Sequence, residues 1–600
     1  MGDLDELGRR FPVFGRQVDG MPGAALRLEA LAAIGLIGGT LVKYLAAADD
    51  AVMRLFIEDL AACDIEWLTG LRDDVLKQPW AIVAPMLAPV VPSGFDDSAC
   101  DEWVEAGHRS LRAGEWADVI FAGGAATRFF TGAGEDSAAR SLVERYGGTP
   151  PKGVYPLTPV LGRSFLQRFV AEALETGIAS GRLPPVVFMT SQQTSAAIRD
   201  WVQNSDHSGF PREMLWPMPQ AEHPRLDSDG DLVARSNGRL VVTGDGHGGV
   251  YRALMAEDPG GDSILLGLHR LGVRHVVLHN VDNAASRPFD AARLGFHRSR
   301  GMAFTMTVTA RAHAYEKVGL VAKNLSIGRI EAIEYSVCPP EIAEAVQPDG
   351  SPVFALAHIN TNLLSLSAVR SDIPRTLYTG KMVDVDGRVV PTSSHEMLNQ
   401  HLSGLLEPEV VGVLLADRDV FFLPTKSLHG EDSLDTTQRA MSRADAARLV
   451  ALGAEVAADS WVELDPCLGD PAALSGLGCA QGWRIGAGAM VGFAVRHGIG
   501  GRPPLSSGLV VENGARLVVQ VDRPYGDSRF DSGTRAIAEC RASAGMVGLG
   551  TDVTVGAGAD VQLTVLGSGQ IEVPAGTRFE GVVRIEALPG QVLVAHGASR

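Results

Sequence analysis

The chain has 600 residues, 46% apolar and 21% charged, with a mean hydropathy of +0.08, a balance that fits about two to four folded domains. Its 71 acidic residues outnumber the 53 basic ones, and the resulting net charge of −18 argues against nucleic acid and anionic membranes as partners. The six cysteines show no CxxC pairs or Cys/His clusters, which excludes a disulfide scaffold and a sulfur-ligated zinc site.

The N-terminal MGDLDELGRRF is charged and lacks a signal peptide's apolar core, so the expected location is cytoplasmic. Ala30 to Val42 is bracketed by Glu29 and Lys43 and too short to cross a bilayer of roughly 30 Å, and reads as a buried helix. From Gly23 to about Gly114 the pattern is mostly helical, broken at Pro79, Pro85, Pro89 and Pro92, with a helix near Asp101 to Ala113. No chemistry is legible in residues 1–110, which read as a helical arm.

Val119-Ile120-Phe121 is a run of β-formers, and Ala122-Gly123-Gly124-Ala125-Ala126 follows as a tight turn of small residues. Such a turn leaves backbone N–H groups open to a phosphate chain, and Arg128 and Lys152 supply positive charge. Helical stretches at Asp136 to Arg145, Arg163 to Leu174 and Thr194 to Val202 alternate with a strand over Pro185 to Met189. The alternation predicts an α/β fold with a parallel sheet, its ligands lying beyond the carboxyl ends of the strands. Val276 to Leu278 is a further strand leading to Asp282, whose carboxylate can hold Mg²⁺ or cap a helix. Gly244 to Gly249 holds four glycines in six residues, either a ligand-binding loop or a hairpin turn.

WADVIFAGGAATRFF, PPKGVYPL, FMTSQQT, PQAEHPRL, GDGHGGVYRAL, HNVDN, IEYS, HINTN and FFLPTK follow one another from about Trp103 to Val456. In order and spacing they resemble the eukaryotic-type UDP-sugar pyrophosphorylases, the UTP:sugar-1-phosphate uridylyltransferases. The resemblance implies a Rossmann-like, GT-A-type nucleotidyltransferase domain with a mixed, mainly parallel sheet over residues 111–456. It also implies UTP and a sugar 1-phosphate as substrates and Mg²⁺ as cofactor. It places Gly123, Gly124, Gln220 and Gly246 on the nucleotide, with Gln220 at the uracil. It places His247, Gly319, Glu334 and Asn360 on the sugar, Asp282 on the metal, Lys426 on the sugar phosphate, and Arg128 and Lys152 on the phosphates. The motifs mix the acetylglucosamine and glucose branches, so the sugar stays open.

The chain departs from the family at Ala126 and Phe130, which stand where glycines are usual. A left-handed Ala126 would cost on the order of 1 kcal/mol and crowd the phosphates. Gly244, Leu363 and Ser394-His395-Glu396 also depart, which leaves room for a modified hexose or a cyclitol phosphate. Beyond a helix running from Ala440 to about Gly453, residues 457–600 are rich in Gly, Val and Ala with period-two alternation. Val553 to Gly558 recurs as Ile571 to Gly576, an offset of 18 residues that fits one turn of a β-helix, with an irregular β-sandwich as the alternative. Such a domain suits homo-oligomer formation better than catalysis.

Overall fold

In the computed structural model, the described residues are 49–77, 86–95, 99–124, 126–130, 136–205, 207, 210–335, 338–466, 482–494, 508–522, 546–549, 552–566, 569–588 and 590–597; the expected helix over Ala30 to Val42 lies outside them. Two helices, Asp50–Ala62 and Ile65–Leu76, open this part of the chain, capped by the Asp49 and Asp64 carboxylates. The edge strands β1 (Leu87–Pro89) and β2 (Ser93–Gly94) and the helix Cys100–Arg112 follow, so the region read as mostly helical also contributes to the sheet. Leu87 to Pro89 pairs with a strand far along the chain, a long-range contact that helical periodicity cannot announce.

The central sheet takes β3 (Trp116–Phe121), β4 (Val186–Thr190), β5 (Leu215–Pro219), β8 (His275–Asn280), β9 (Phe304–Ala310), β12 (Leu356–Ser365) and β15 (Val411–Leu415). The short β6 (Glu222–Pro224) and β7 (Val242–Gly244) pair with each other beside it. Its order is β2-β15-β9-β12-β8-β3-β4-β5, and β12 alone runs against its neighbours on that path. β10 (Gly319–Asn324) and β11 (Arg329–Ile333) extend one end of β12 as an antiparallel branch. β3 and β4 are buried along their whole length, as strands covered by helices on both faces must be. Val119, Val187 and Leu278 pack on one face with Leu254 and Leu268, and Ile120, Phe188 and Val277 pack on the other with Phe169 and Leu174. The mixed, mainly parallel α/β sheet agrees with the sequence reading.

The expected helices are present: Ser137–Tyr146 is shifted by one residue, and Phe165–Ser180, Gln192–Asn204 and Leu434–Ala451 run longer than expected. Ser164 and Ser433 each close a capping box with the residue three positions on, so the sequence carried the true starts. A two-stranded ribbon, β13 (Arg375–Val385) with β14 (Arg388–Met397), leaves the sheet and receives the N-terminal helices. There Trp67 stacks on His223 at 3.9 Å under the Arg375 guanidinium, and His395 lies 2.8 Å from the Asp74 carboxylate.

From Glu455 onward the strands form three parallel sheets. One runs β16 (Glu455–Val456), β18 (Arg484–Ile485), β20 (Val510–Val511), β23 (Thr554–Val555) and β26 (Arg578–Phe579). A second holds β17 (Trp461–Leu464), β19 (Met490–Ala494), β21 (Arg516–Asp522), β24 (Asp560–Leu566) and β27 (Val582–Ala587). The third holds β22 (Met546–Leu549), β25 (Gln570–Val573) and β28 (Val592–Val594). Sheets whose strands are all parallel and are visited in rotation make a coil, not the antiparallel sandwich kept as the alternative. The 18-residue offset is not the coil repeat. Val555 and Ile571 lie in different sheets, while Thr554 pairs with Arg578, Asp560 with Val582 and Gln570 with Val592, a spacing of 22–24 residues. The two copies are alike because each ends a strand in a glycine turn, not because they stack.

Candidate active site

At the end of β3 the chain leaves the sheet through Gly123 and Gly124. A Cβ on Gly123 would meet the Ser191 amide at 3.2 Å and Gln220 Oε1 at 3.3 Å, whereas one on Gly124 would meet nothing within 4 Å among the described residues. The turn is thus braced at its first glycine and open at its second. Ala126 adopts φ +50°, a left-handed conformation that costs a non-glycine residue about 1 kcal/mol, and its carbonyl accepts from the Phe129 and Phe130 amides to start the helix Thr127–Phe130. Phe130 packs against Phe129 and Tyr155. The Arg128 side chain lies outside the described residues.

Gln220 follows β5 and is tied by its amide to the Thr190 carbonyl at the end of β4. Its side chain occupies the space beside Gly244: a Cβ there would fall 1.5 Å from Gln220 Nε2. Gly246 has φ +83°, and a Cβ on it would lie 2.4 Å from the Met397 carbonyl, so only glycine fits. β7 then passes through a short turn, His247–Gly249, into the helix Val250–Met255, which rules out a hairpin at this loop. Asp245, inside the loop, is fully buried under Gly249, and burial pushes its carboxyl up to about 7.

His247 stacks on Phe121 at 5.5 Å. Its Nδ1 accepts from the Asn399 backbone amide at 3.1 Å and lies 2.8 Å from the Asn399 side-chain nitrogen. Burial lowers its pKa to about 3, so the ring is neutral. Asn399 Nδ2 also donates to Asn360 Oδ1 at 2.7 Å, and Asn360 Nδ2 donates to Asn280 Oδ1 at 3.0 Å at the end of β8. Asn360 sits at a bulge of β12 with φ +50°, which turns its side chain out of the ladder. On the same side a Cβ on Gly319 would lie 3.6 Å from Glu334 Oε1, which accepts from Gln400 Nε2 at 2.7 Å. Burial raises the Glu334 carboxyl above its ordinary range.

Asp282 lies just past β8 and caps no helix; Asp290 caps the helix that follows. Lys152 Nζ stands 3.6 Å from Asp282 Oδ2 and donates to the Thr425 carbonyl at 2.8 Å, while the Thr425 amide donates to the Asp282 carbonyl at 2.9 Å. Burial lowers the Lys152 pKa, and the neighbouring Lys426 adds to that against the pull of Asp282. Lys426, largely exposed, pairs with Asp432 at 2.6 Å. Among the described residues no cluster of three or more His, Cys, Asp or Glu could hold a metal by protein ligands alone. One part-exposed carboxylate beside two lysines instead fits Mg²⁺ that takes its remaining oxygens from phosphate and water.

The residues the sequence did not assign are Asn399, Gln400, Asn280 and Asn283. Asn283 Oδ1 accepts from the Leu423 amide and its Nδ2 donates to the Phe421 carbonyl, which pins the Lys426 segment to the end of β8. HNVDN carried a signal for Asn280 and Asn283; nothing in LNQHL marked Asn399. His395 and Leu363, both noted as departures, face away: His395 meets Asp74 and Leu363 packs in the core.

The fold and these residues define an α/β protein whose polar groups gather beyond the carboxyl ends of its strands, the place where such sheets bind nucleotides. Residues 141–376 match the family described as UTP--glucose-1-phosphate uridylyltransferase. The chain is 26% identical over 310 residues to UDP-N-acetylhexosamine pyrophosphorylase-like protein 1 of Xenopus tropicalis, covering 49% of this chain and 56% of that one. It is 27% identical over 297 residues to UDP-N-acetylglucosamine pyrophosphorylase of Saccharomyces cerevisiae, covering 48% and 57%. The alignments thus span little more than half the length of these curated relatives. In fold it is similar to the UDP-N-acetylglucosamine pyrophosphorylase of Trypanosoma brucei, at TM-score 0.59 and 18% identity over 72% of this chain and 86% of that one. The Entamoeba histolytica protein described as a UDP-N-acetylglucosamine pyrophosphorylase gives 0.53 and 21% over 62% and 91%. The resemblance read from the motifs therefore holds: this chain is similar to the UDP-sugar pyrophosphorylases, by sequence in its core and by fold over a larger share.

Proposed function

We propose that the protein is a nucleotidyltransferase that converts UTP and a sugar 1-phosphate, of glucose or N-acetylglucosamine, to a UDP-sugar and pyrophosphate. The observation that carries this reading is the junction of Lys152, Asp282 and Thr425-Lys426. Three segments far apart in the chain place two cations and a carboxylate together. A sugar phosphate is already an anionic nucleophile, so no general base is needed. The barrier lies in bringing it against the α-phosphorus of an anionic triphosphate.

In this reading Gln220 holds the uracil edge, and Gly123 and Gly124 offer backbone N–H groups to the triphosphate. Lys152 and Lys426 offset the repulsion between the two phosphates, Arg128 assists at the pyrophosphate, and His247, Gly319, Glu334 and Asn360 hold the sugar. Asp282 would hold Mg²⁺, which supplies charge neutralisation at the phosphate oxygens when bound. The lowered pKa of Lys152 suits this role, since a dianionic phosphate restores the charge that burial disfavours.

The assignment divides the chain into a helical arm (1–110), a catalytic domain (111–456) and a C-terminal coil (457–600). No described helix is long and apolar enough to cross a membrane, in keeping with a cytoplasmic enzyme. Among the described residues β26, β27 and β28 each end their sheet, and Val582, Val592 and Val594 are exposed there, which supports self-association through the coil. The test is pyrophosphate release from the full chain with Mg²⁺, each nucleoside triphosphate and a panel of sugar 1-phosphates. Release with UTP supports the reading. No release with any pair, or free UDP formed from a UDP-sugar and an acceptor, overturns it.

A further inference from the structure

Backbone N–H groups can only donate, so the Asn399 amide, 3.1 Å from His247 Nδ1, fixes that ring nitrogen as an acceptor. The proton of the neutral ring is then on Nε2. The 2.8 Å contact from the Asn399 side chain to the same nitrogen must be its NH₂ group, and the second hydrogen of that group goes to Asn360 Oδ1 at 2.7 Å. Asn399 Oδ1 accepts from Asn362 Nδ2 at 2.5 Å, and Asn362 Oδ1 faces His358 Nε2 at 2.9 Å. Asn360, with its oxygen used as acceptor, donates to Asn280. Every amide in this chain has its orientation set by the one before it, starting from a backbone group that cannot reverse. Asn360 and Asn362 lie on the central strand β12, and His247 on the loop after β7. Asn399 comes from the turn after β14, and among the described residues its side chain alone bonds directly to both His247 and Asn360.

We infer that Asn399 is a positioning residue that holds His247 as a neutral donor through Nε2–H and locks it to Asn360, so that His247 reads an acceptor oxygen on the sugar. The inference rests on the proposed reaction for its substrate and on geometry alone for its wiring. The titratable groups facing His247 are His358 of β12 and His401 of the turn after β14, and burial holds both below their ordinary pKa. Among the described residues no carboxylate faces the ring strongly enough to favour its protonation, so the donor state should not change across the neutral range.

Asn399→Asp keeps the side-chain size but replaces the NH₂ donor with a carboxylate. The carboxylate then replaces the closer of the two contacts to Nδ1, 2.8 Å against 3.1 Å for the backbone N–H that remains, and as a full negative charge it outweighs that dipole. A proton is drawn to Nδ1, the neutral ring turns an acceptor toward the sugar, and only the imidazolium form restores Nε2–H. With the full-length protein, the KM for sugar 1-phosphate should rise at least tenfold at pH 8 while that for UTP changes less than twofold. The ratio of variant to wild-type KM should fall as pH drops, because the ratio cancels the substrate's own titration. In ¹⁵N-histidine spectra, with His247 assigned by loss of its signals in His247→Gln, wild type should show the Nε2–H tautomer and Asn399→Asp should not. A KM ratio independent of pH, or a wild-type ring protonated on Nδ1, would overturn the inference. If wild type releases no pyrophosphate at all, the proposed reaction fails and the spectra still decide the tautomer.

Discussion

Gly244→Ala tests the nucleotide end of the site through sterics alone. The added methyl falls 1.5 Å from Gln220 Nε2 and 2.6 Å from its Cδ, well inside contact distance, so the Gln220 amide must leave its place. The obstructing atoms are the far end of a flexible side chain, and Gly244 does not have a positive φ, so β7 keeps its backbone and stability changes by less than about 0.5 kcal/mol. If Gln220 holds the uracil as proposed, what is lost is two neutral hydrogen bonds to the base, each contributing about 1 kcal/mol. The sum of about 2 kcal/mol corresponds to roughly a thirtyfold rise in the KM for UTP. Pyrophosphate release across a UTP series, with thermal melting of the same samples, measures both quantities. Preference for UTP over CTP should also fall, because an amide that no longer meets the base edge cannot reject the wrong one. Adding Gln220→Ala to Gly244→Ala should change little further, since both remove the same contacts. An unchanged KM for UTP, or a loss that merely tracks a lowered melting temperature, would refute the reasoning.

Asp282→Ala and Lys426→Ala should each lower turnover by at least a hundredfold with melting temperatures close to wild type, and near-normal rates would remove them from the mechanism. Burial puts the Lys152 pKa below 10.5, so its charge is lost at a lower pH than for a free lysine. The KM for UTP should therefore rise at alkaline pH before 10.5, and Lys152→Arg should flatten that limb. The fold behaves oppositely. The cost of burying charged Lys152 is fully present below its folded pKa and fades as pH climbs from there to the unfolded value of 10.5. Glu463 of β17 is buried and accepts from the Val160 and Leu161 amides at 2.8 and 2.6 Å, close after the Lys152 segment, so the coil holds that loop. Glu463→Ala strands two donors at about 1–3 kcal/mol each and should lower the melting temperature by several degrees; an unchanged melt would show that the loop needs no support from the coil.

The sequence alone determined the elements with strong local causes: the β3 strand and its glycine turn, the helix over Arg163 to Leu174, and the alternation of strand and helix that sets an α/β sheet. It also marked Gly123, Lys152, Gln220, His247, Asp282, Glu334 and Asn360, because each lies in a motif with distinctive neighbours. Tertiary structure alone decided the rest. The strand Leu87–Pro89 exists because β10 offers it an edge, and paired rungs of the coil lie 22–24 residues apart at its end but 44 apart between Val510 and Thr554, because its turns vary while its pairing does not. Asn399 and Glu463 look like ordinary polar residues in the chain. Their importance comes from partners more than a hundred residues away, and a hydrogen bond's direction depends on which group stands opposite, which no local pattern encodes.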